Sequence, residues 1–221
     1  MRAEQRAAAA ICALEELYPE AVCSLEYGGE GWKLLIMGRL SAQCTDERVN
    51  VVCRDLFDCY PTAEAIASAD VNDIMELIRS CGLYKKKAEN IVESMRILCE
   101  QYGGIVPNDM EALLKFPGVG RKIANLLLGD LYGMGGIVPD THCMRICGRL
   151  GFYDEKKKNP LMTERVMEKL IPRERQSDFC HRLVLFGREY CTASSPRCGE
   201  CPLSSICKHA QSPSKKKGKK K

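Results

Sequence analysis

Apolar residues recur along most of this chain at the three- and four-residue spacing of amphipathic helices, and no segment shows the strict alternation of a strand. Side chains that can cap a helix, such as Thr45, Thr62 and Asp70, precede several of these runs. The pattern predicts helices over residues 3–18, 32–42, 45–57, 85–102, 121–131, 141–150, 163–170 and 176–190, with shorter ones between 62 and 82 and from 108 or 109 onward. We therefore predict an all-α protein of about ten helices.

Composition and charge argue against a membrane protein but do little to identify a partner. No apolar run approaches the roughly 18 residues that span a bilayer. Acidic residues flank the alanine-rich start, which predicts a helix rather than a cleaved signal. The lysine-rich end supplies six of the 33 basic residues, which leaves 27 against 29 acidic ones in the rest of the chain. Charge alone therefore does not indicate a nucleic-acid-binding protein.

The fourteen cysteines fall into two groups. Ten are scattered among the helical runs, and we interpret them as reduced core residues of a cytosolic protein; they are Cys12, Cys23, Cys44, Cys53, Cys59, Cys81, Cys99, Cys143, Cys147 and Cys180. Cys191, Cys198, Cys201 and Cys207 instead follow the spacing C-x6-C-x2-C-x5-C in a loop with little apolar content. Such a loop needs a metal or disulfides to fold. Its single close pair favours a [4Fe–4S] cluster over zinc, with disulfides third.

The stretch from Leu113 to His142 carries the clearest chemical pattern. A predicted helix stops at Phe116, and the residues Pro-Gly-Val-Gly at 117–120 separate it from a second, almost wholly apolar helix. A turn of this kind exposes backbone N–H groups at the positive end of the second helix, where a phosphate can bind. The alternative is a tight turn that uses proline and glycine only for its shape.

Lys122 and Asp140 add candidate reactive groups to this stretch. Lys122 lies in the first turn of the apolar helix, where the helix dipole and desolvation disfavour the charged form and suit an amine nucleophile. A lysine that contacts phosphate or extends its amine to solvent is the alternative. Asp140 precedes the next predicted helix, so it is expected to be an N-cap. The same carboxylate could also stabilise a developing positive charge, and the two roles are compatible.

Taken together, these residues resemble the endonuclease III family of helix-hairpin-helix DNA glycosylases. The resemblance is carried by LLKFPGVGRKIANLLLGD, by PDTH and the cysteine spacing, and by LSAQCTDERVN at 40–50 and GLYKKKAENI at 82–91. It covers about residues 10 to 208. It implies a glycosylase and AP lyase that removes oxidised pyrimidines from double-stranded DNA and cleaves abasic sites by β-elimination. Such an enzyme is expected to be a monomer in the cytoplasm, at the nucleoid.

The resemblance also implies two all-α lobes with DNA in the groove between them. Residues 24–134 are expected to form a helical barrel lobe that includes the hairpin. Residues 1–23 and 135–210 are expected to form the lobe that holds the [4Fe–4S] cluster, and residues 211–221 a disordered basic tail.

The same resemblance assigns a role to each candidate site residue. Lys122 becomes the nucleophile at C1′ of the damaged nucleotide, with Asp140 assisting it. Gln43 and Leu83 become the residues that fill the space of the flipped base and wedge the duplex, although without the resemblance they read as a polar helix end and a core leucine. The backbone contacts to DNA fall to Gly118, Val119 and Gly120, and the cluster ligands are Cys191, Cys198, Cys201 and Cys207.

Three departures from the family pattern leave the lesion spectrum open, and one of them is the extra lysine-rich tail at the end of the chain. Pro139 stands where the family usually has a small branched residue, and Phe186 where many members have histidine.

Two rival hypotheses also remain. A monofunctional adenine glycosylase shares the cysteine spacing and the aspartate, but it lacks a lysine at position 122 and carries a further C-terminal domain. A DNA-binding module without enzyme activity would have no need of Lys122 beside Asp140.

Overall fold

The computed structural model describes residues 1–212, and every regular element within them is helical. The α-helices are α1 (Ala3–Leu17), α2 (Gly31–Leu40), α3 (Asp46–Cys59), α4 (Ala63–Ala67), α5 (Val71–Leu77), α6 (Tyr84–Tyr102), α7 (Met110–Leu113), α8 (Arg121–Tyr132), α9 (Thr141–Leu150), α10 (Pro160–Leu170), α11 (Gln176–Glu189) and α12 (Lys208–Gln211). Single 3-10 turns cover Glu155–Lys157 and Arg173–Arg175. The predicted all-α class is confirmed, and the described residues form twelve α-helices rather than about ten.

Side-chain caps explain where six of the twelve α-helices begin. The side chains of Thr45, Thr62 and Asp70 each accept a hydrogen bond from a backbone N–H in the first turn of α3, α4 and α5. The prediction was wrong for α10, which begins at Pro160 instead of residue 163. Asn159 caps that helix and proline suits its first position, two signals that the apolar spacing alone does not contain.

The described chain divides into two compact units. One unit is Cys23–Gly133, in which α6 packs against α2, α4 and α5, and α8 packs against α2 and α7. The other is Met1–Val22 together with the described residues from Met134 onward, in which α9 packs against α10, α11 and α12, and α1 packs against α10 and α11. The hairpin therefore lies in the first unit, and Asp140 and the four-cysteine loop lie in the second.

The ten scattered cysteines were expected to be core residues, but this expectation is wrong for some of them. Cys12 and Cys59 are exposed. Three more are partly exposed, namely Cys23, Cys44 and Cys99, and the remaining five are buried, namely Cys53, Cys81, Cys143, Cys147 and Cys180. An interpretation based on burial therefore applies to only half of the ten.

Measured by length and hydropathy, none of the helices within residues 1–212 could cross a membrane. The predicted basic tail begins inside the described part of the chain, where Gln211 ends α12. Residues 213–221, which include its lysines, lie outside the described residues.

Candidate active site and cluster loop

The turn between α7 and α8 is built from the backbone. Phe116 is buried and anchors the turn, and its carbonyl accepts the Val119 N–H at 3.1 Å. Gly118 has a φ of +75°, and Gly120 is the N-cap of α8, with its carbonyl accepting the Ala124 N–H at 3.0 Å. Gly118 and Gly120 are exposed while Val119 is buried. The turn therefore presents bare backbone to solvent at the positive end of α8.

Only glycine fits position 118. A Cβ there would collide with Arg39 Nε and with the Asn90 carboxamide. These two side chains form a platform beneath the turn, because Arg39 Nε and Nη2 both donate to the Asn90 side-chain oxygen at 3.1 Å. Burial lowers the pKa of Arg39, and no carboxylate pairs with it among residues 1–212. The turn at 117–120 thus rests on an arginine whose charge no carboxylate neutralises within the described chain.

Lys122 lies in the first turn of α8 and is half-buried. The helix behind it is buried along its length from Ile123 to Gly129, as the apolar pattern predicted. Within the described part of the chain the Lys122 amine makes no ion pair or hydrogen bond, and the N–H groups of Gly120 and Lys122 have no acceptor. An amine and two N–H groups without protein partners are therefore adjacent at the start of one helix.

Gln43 and Leu83 share an unusual backbone conformation. Within residues 1–212 they alone, apart from glycines, have positive φ, of 56° and 59°. Both side chains are exposed, and Leu83 retains 63% of its accessible surface, so its alternative role as a core leucine is wrong. A Cβ at Gly82 would lie 3.8 Å from the Gln43 carbonyl oxygen, so the two loops are in contact. Residues that keep a costly conformation while exposing their side chains are commonly functional.

Lys87 is a structural residue of this region that the sequence analysis missed. Its side chain is fully buried, and its Nζ donates to the carbonyls of Leu40 at 2.8 Å and Ala42 at 2.7 Å. It thereby ties α6 to the end of α2, immediately before Gln43. Desolvation lowers the pKa of this amine. The signal was present in the helical spacing, because Lys87 shares the apolar face of α6 with Ile91.

Asp140 is the N-cap of α9, as predicted. Its carboxylate accepts the Cys143 N–H at 2.6 Å. The segment that leads to it is held at two points: the Asp140 N–H donates to the Val138 carbonyl at 2.8 Å, and the Val138 N–H donates to Cys180 Sγ at 3.3 Å. Pro139 lies between these contacts, and the cap is formed with proline in this place.

The four-cysteine loop depends on buried arginines rather than on a core of its own. Arg6 Nε donates to the Ile206 carbonyl at 3.1 Å, and Arg145 Nε donates to the Cys191 carbonyl at 2.9 Å. Arg149 donates to Cys191 Sγ at 3.3 Å and to two carbonyls that follow it. Both Arg145 and Arg149 lie on α9, so the helix that Asp140 caps also holds the first cysteine of the loop.

The environment of the thiols fits a metal cluster. Burial and, to a smaller extent, the other three thiols of the loop raise the pKa of Cys201 to about 11, and the Leu203 N–H partly opposes this rise. Burial likewise raises the pKa of Cys207, against N–H groups of residues 209 and 210 that lower it. Four neighbouring thiols become thiolates together only beside a strong positive charge, and iron supplies it. The N–H groups are already placed to stabilise the sulfur anions.

Comparison with known proteins agrees with this construction. The family described as HhH-GPD superfamily base excision DNA repair protein matches residues 36–173, and the iron–sulfur binding domain of endonuclease III matches residues 191–207. Endonuclease III of Synechocystis is 44% identical over 94% of this chain and 94% of its own length. Endonuclease III of Bacillus subtilis is 40% identical over 91% of each chain. A solved structure of a trapped covalent endonuclease III–DNA intermediate, an estranged-adenine complex, has a TM-score of 0.88 at 38% identity, covering 96% of this chain and 98% of that one.

Fold, hairpin and cluster loop define a base excision DNA repair enzyme of the helix-hairpin-helix class. Within that class the chain belongs to the endonuclease III family. It is a DNA N-glycosylase and AP lyase that acts on DNA and carries a [4Fe–4S] cluster. The expectations of activity, partner and cofactor are confirmed, and both rival hypotheses are set aside.

Proposed function

We propose that Lys122 is the nucleophile of the reaction and that Asp140 stabilises the positive charge that develops on the sugar. The observation that carries this proposal is the start of α8, where two backbone N–H groups and the Lys122 amine lie side by side with no hydrogen-bond or ion-pair partner among residues 1–212. A DNA phosphate bound to Gly118–Gly120 would bring the adjoining sugar towards that amine. The covalent endonuclease III–DNA intermediate solved for a relative supports a covalent route.

In the proposed reaction, base excision by Lys122 is followed by β-elimination at the sugar. The Lys122 amine attacks C1′ of the flipped nucleotide through its nitrogen lone pair, and the bond from C1′ to the base breaks with departure of the base. Opening of the sugar ring leaves a Schiff base between Nζ and C1′. Loss of a proton from C2′ expels the 3′ phosphate, and water then releases the lysine. The Asp140 carboxylate offsets the positive charge on the sugar before the amine bond is complete.

Gln43 and Leu83 are proposed to hold the duplex open while the base is out of the stack. Leu83 presents an apolar side chain to solvent, which suits insertion between bases, and Gln43 presents hydrogen-bonding groups beside it. The buried Lys87 contact supports this role, because it fixes the approach of both loops. A wedge that is already ordered loses little conformational entropy on binding DNA.

Oxidised pyrimidines and abasic sites are the proposed substrates, and the [4Fe–4S] cluster is proposed to bind at Cys191, Cys198, Cys201 and Cys207 in a structural role. We further propose a monomer that acts in the cytoplasm at the nucleoid, with residues 24–134 as the hairpin lobe and residues 1–23 with 135–210 as the cluster lobe.

A panel of duplexes with oxidised pyrimidines, formamidopyrimidines and abasic sites tests the substrate range. If the protein excised formamidopyrimidines faster than oxidised pyrimidines, or did not cleave abasic sites, the proposed substrate range would be contradicted.

Borohydride trapping tests the nucleophile. Reduction of the Schiff base in the presence of duplex DNA with an abasic site should leave protein covalently bound to DNA. Lys122→Ala should abolish the adduct while binding to a duplex with a non-cleavable abasic analogue persists. Asp140→Asn, which keeps a capping side chain, should slow excision by about 100-fold or more.

Lys169→Ala is the matched control, because Lys169 is an exposed lysine near the end of α10. It should trap as well as the unmodified protein. An adduct that survives Lys122→Ala, or that forms equally through another lysine, would overturn the assignment of Lys122.

A further inference from the structure

Two cysteines outside the cluster loop meet beneath the proposed DNA wedge. The sulfurs of Cys44 and Cys81 lie 3.8 Å apart, in van der Waals contact, although 37 residues separate them in sequence. Cys44 directly follows Gln43, and Cys81 precedes Leu83 by two residues. The sulfur contact therefore joins the bases of two loops whose central residues both have positive φ.

We propose that Cys44 and Cys81 form a reversible disulfide that locks the Gln43 and Leu83 loops together and weakens lesion binding when the protein meets a hydroperoxide. The proposed formation of the bond rests on the contact between the two sulfurs and does not depend on the proposed function. Its effect on DNA rests on the proposed function of Gln43 and Leu83.

Cys44 and Cys81 differ in exposure and in local charge, and this difference gives them different roles. Cys44 is partly exposed and accessible to a small oxidant, whereas Cys81 is buried. Burial raises the pKa of Cys81 to about 11, and Lys87 and Arg48 partly oppose that shift. The two cations favour a thiolate at this site, although the buried sulfur does not form one readily. Cys44 is thus the thiol that meets the oxidant, and Cys81 is the thiol that resolves it.

The reaction consumes one hydroperoxide for each disulfide. The Cys44 thiolate attacks the outer oxygen, the O–O bond breaks, and the products are a sulfenic acid on Cys44 and an alcohol, or water from hydrogen peroxide. The Cys81 sulfur then attacks the Cys44 sulfur, its proton and the sulfenic hydroxyl leave as water, and the S–S bond forms. Two electrons pass from the two thiols to the peroxide, and a dithiol returns them when it reduces the bond.

Formation of the bond changes the geometry of the wedge. A disulfide holds its sulfurs about 2.0 Å apart, so the two sulfurs must approach from the 3.8 Å of the present contact and pull on the loops that carry them. Lys87 restrains the other side of the Cys44 loop through Leu40 and Ala42, so the movement falls on the residues next to Gln43 and Leu83. Displacements of about 1 Å at a preorganised site cost up to about 100-fold in function.

Peptide mapping tests the bond itself. Full-length protein with its cluster intact is treated with hydrogen peroxide, alkylated without reduction and digested, and a linked peptide pair that contains Cys44 and Cys81 is expected. Cys44→Ala and Cys81→Ala should each abolish that pair. Cys53→Ala is the matched control, since Cys53 is a buried neighbour of the same two thiols, and it should leave the pair unchanged. Absence of the linked pair, or a pair that joins Cys53 instead, would overturn the proposal.

A binding assay on the same samples tests the consequence. The cross-linked protein should bind a duplex with an abasic analogue at least about tenfold more weakly than the reduced protein. A dithiol should restore binding, and Cys81→Ala should be insensitive to the same peroxide dose. Visible absorption of each sample separates this effect from damage to the cluster. Equal affinity of the linked and reduced proteins would overturn the regulatory part, whereas failure of the reduced protein to bind would contradict the proposed function instead.

Discussion

The hairpin turn and the cluster loop are both irregular segments that serve DNA repair, yet they are held in opposite ways. The hairpin at 117–120 has its buried anchors within or next to the turn, at Phe116 and Val119, and its shape depends on one glycine at φ +75°. The loop at 191–207 has one fully buried apolar residue, Leu203, and is held by arginines of α1 and α9. A binding turn made of backbone depends on which side chains fit at each of its positions, whereas a cysteine loop depends on a bound metal and on side chains distant in sequence. Substitutions in the two regions should therefore differ in their effects on stability, DNA binding and cluster content.

The largest expected effect comes from removing a proposed cluster ligand. Cys201→Ala should eliminate the visible iron–sulfur absorption and lower the free energy of unfolding by about 4 kcal/mol or more, because metal loss is among the few large single-residue effects. Visible absorption and thermal denaturation measure the two results. Cys12→Ala, at an exposed thiol, is the control and should change neither. A Cys201→Ala protein with an unchanged unfolding midpoint would show that the arginines alone hold the loop.

An intermediate effect is expected from a single methyl group in the hairpin. Gly118→Ala should cost about 1–3 kcal/mol of stability, because alanine is strained at this φ and its Cβ meets Arg39 and Asn90. It should also weaken DNA binding while leaving the cluster absorption intact. Gly199→Ala is the matched control in the cluster loop, where a Cβ meets no atom within 4 Å. Chemical denaturation and a binding titration of both variants test the contrast, and equal losses would contradict it.

The smallest expected effect is a change in stability on replacing an exposed leucine by glycine, and its sign should differ between Leu83 and Leu161. Leu83→Gly relieves a left-handed conformation, so stability should rise by up to about 1 kcal/mol while binding to lesion DNA falls. Leu161→Gly, near the start of α10, should instead lower stability by about 1 kcal/mol, because glycine is a poor helix former. Denaturation midpoints of the two variants provide the comparison. A stability loss at Leu83 would mean that its side chain contributes more packing than its exposure indicates.

Much of the architecture could be predicted because the deciding interactions are local. The capping oxygens of Thr45, Thr62, Asp70 and Asp140 act within three residues, and each helix begins where the sequence places one. In α10 the cap residue Asn159 and Pro160 at the first position set the start of the helix, whereas the apolar spacing alone indicates a start at residue 163. Burial of individual cysteines failed for the opposite reason, since Cys12 and Cys59 fit an apolar pattern while their helices turn them to solvent.

The sequence by itself determined the helices, the glycines of the hairpin and the spacing of the four cysteines. Tertiary structure alone decided that Leu83 and Gln43 adopt positive φ, that Lys87 turns inward to two carbonyls, and that Cys44 meets Cys81. The physical reason is range. Caps, turns and helical periodicity depend on neighbours within one or two turns of chain, whereas strain, buried charge and sulfur contact are imposed by segments that only packing brings together.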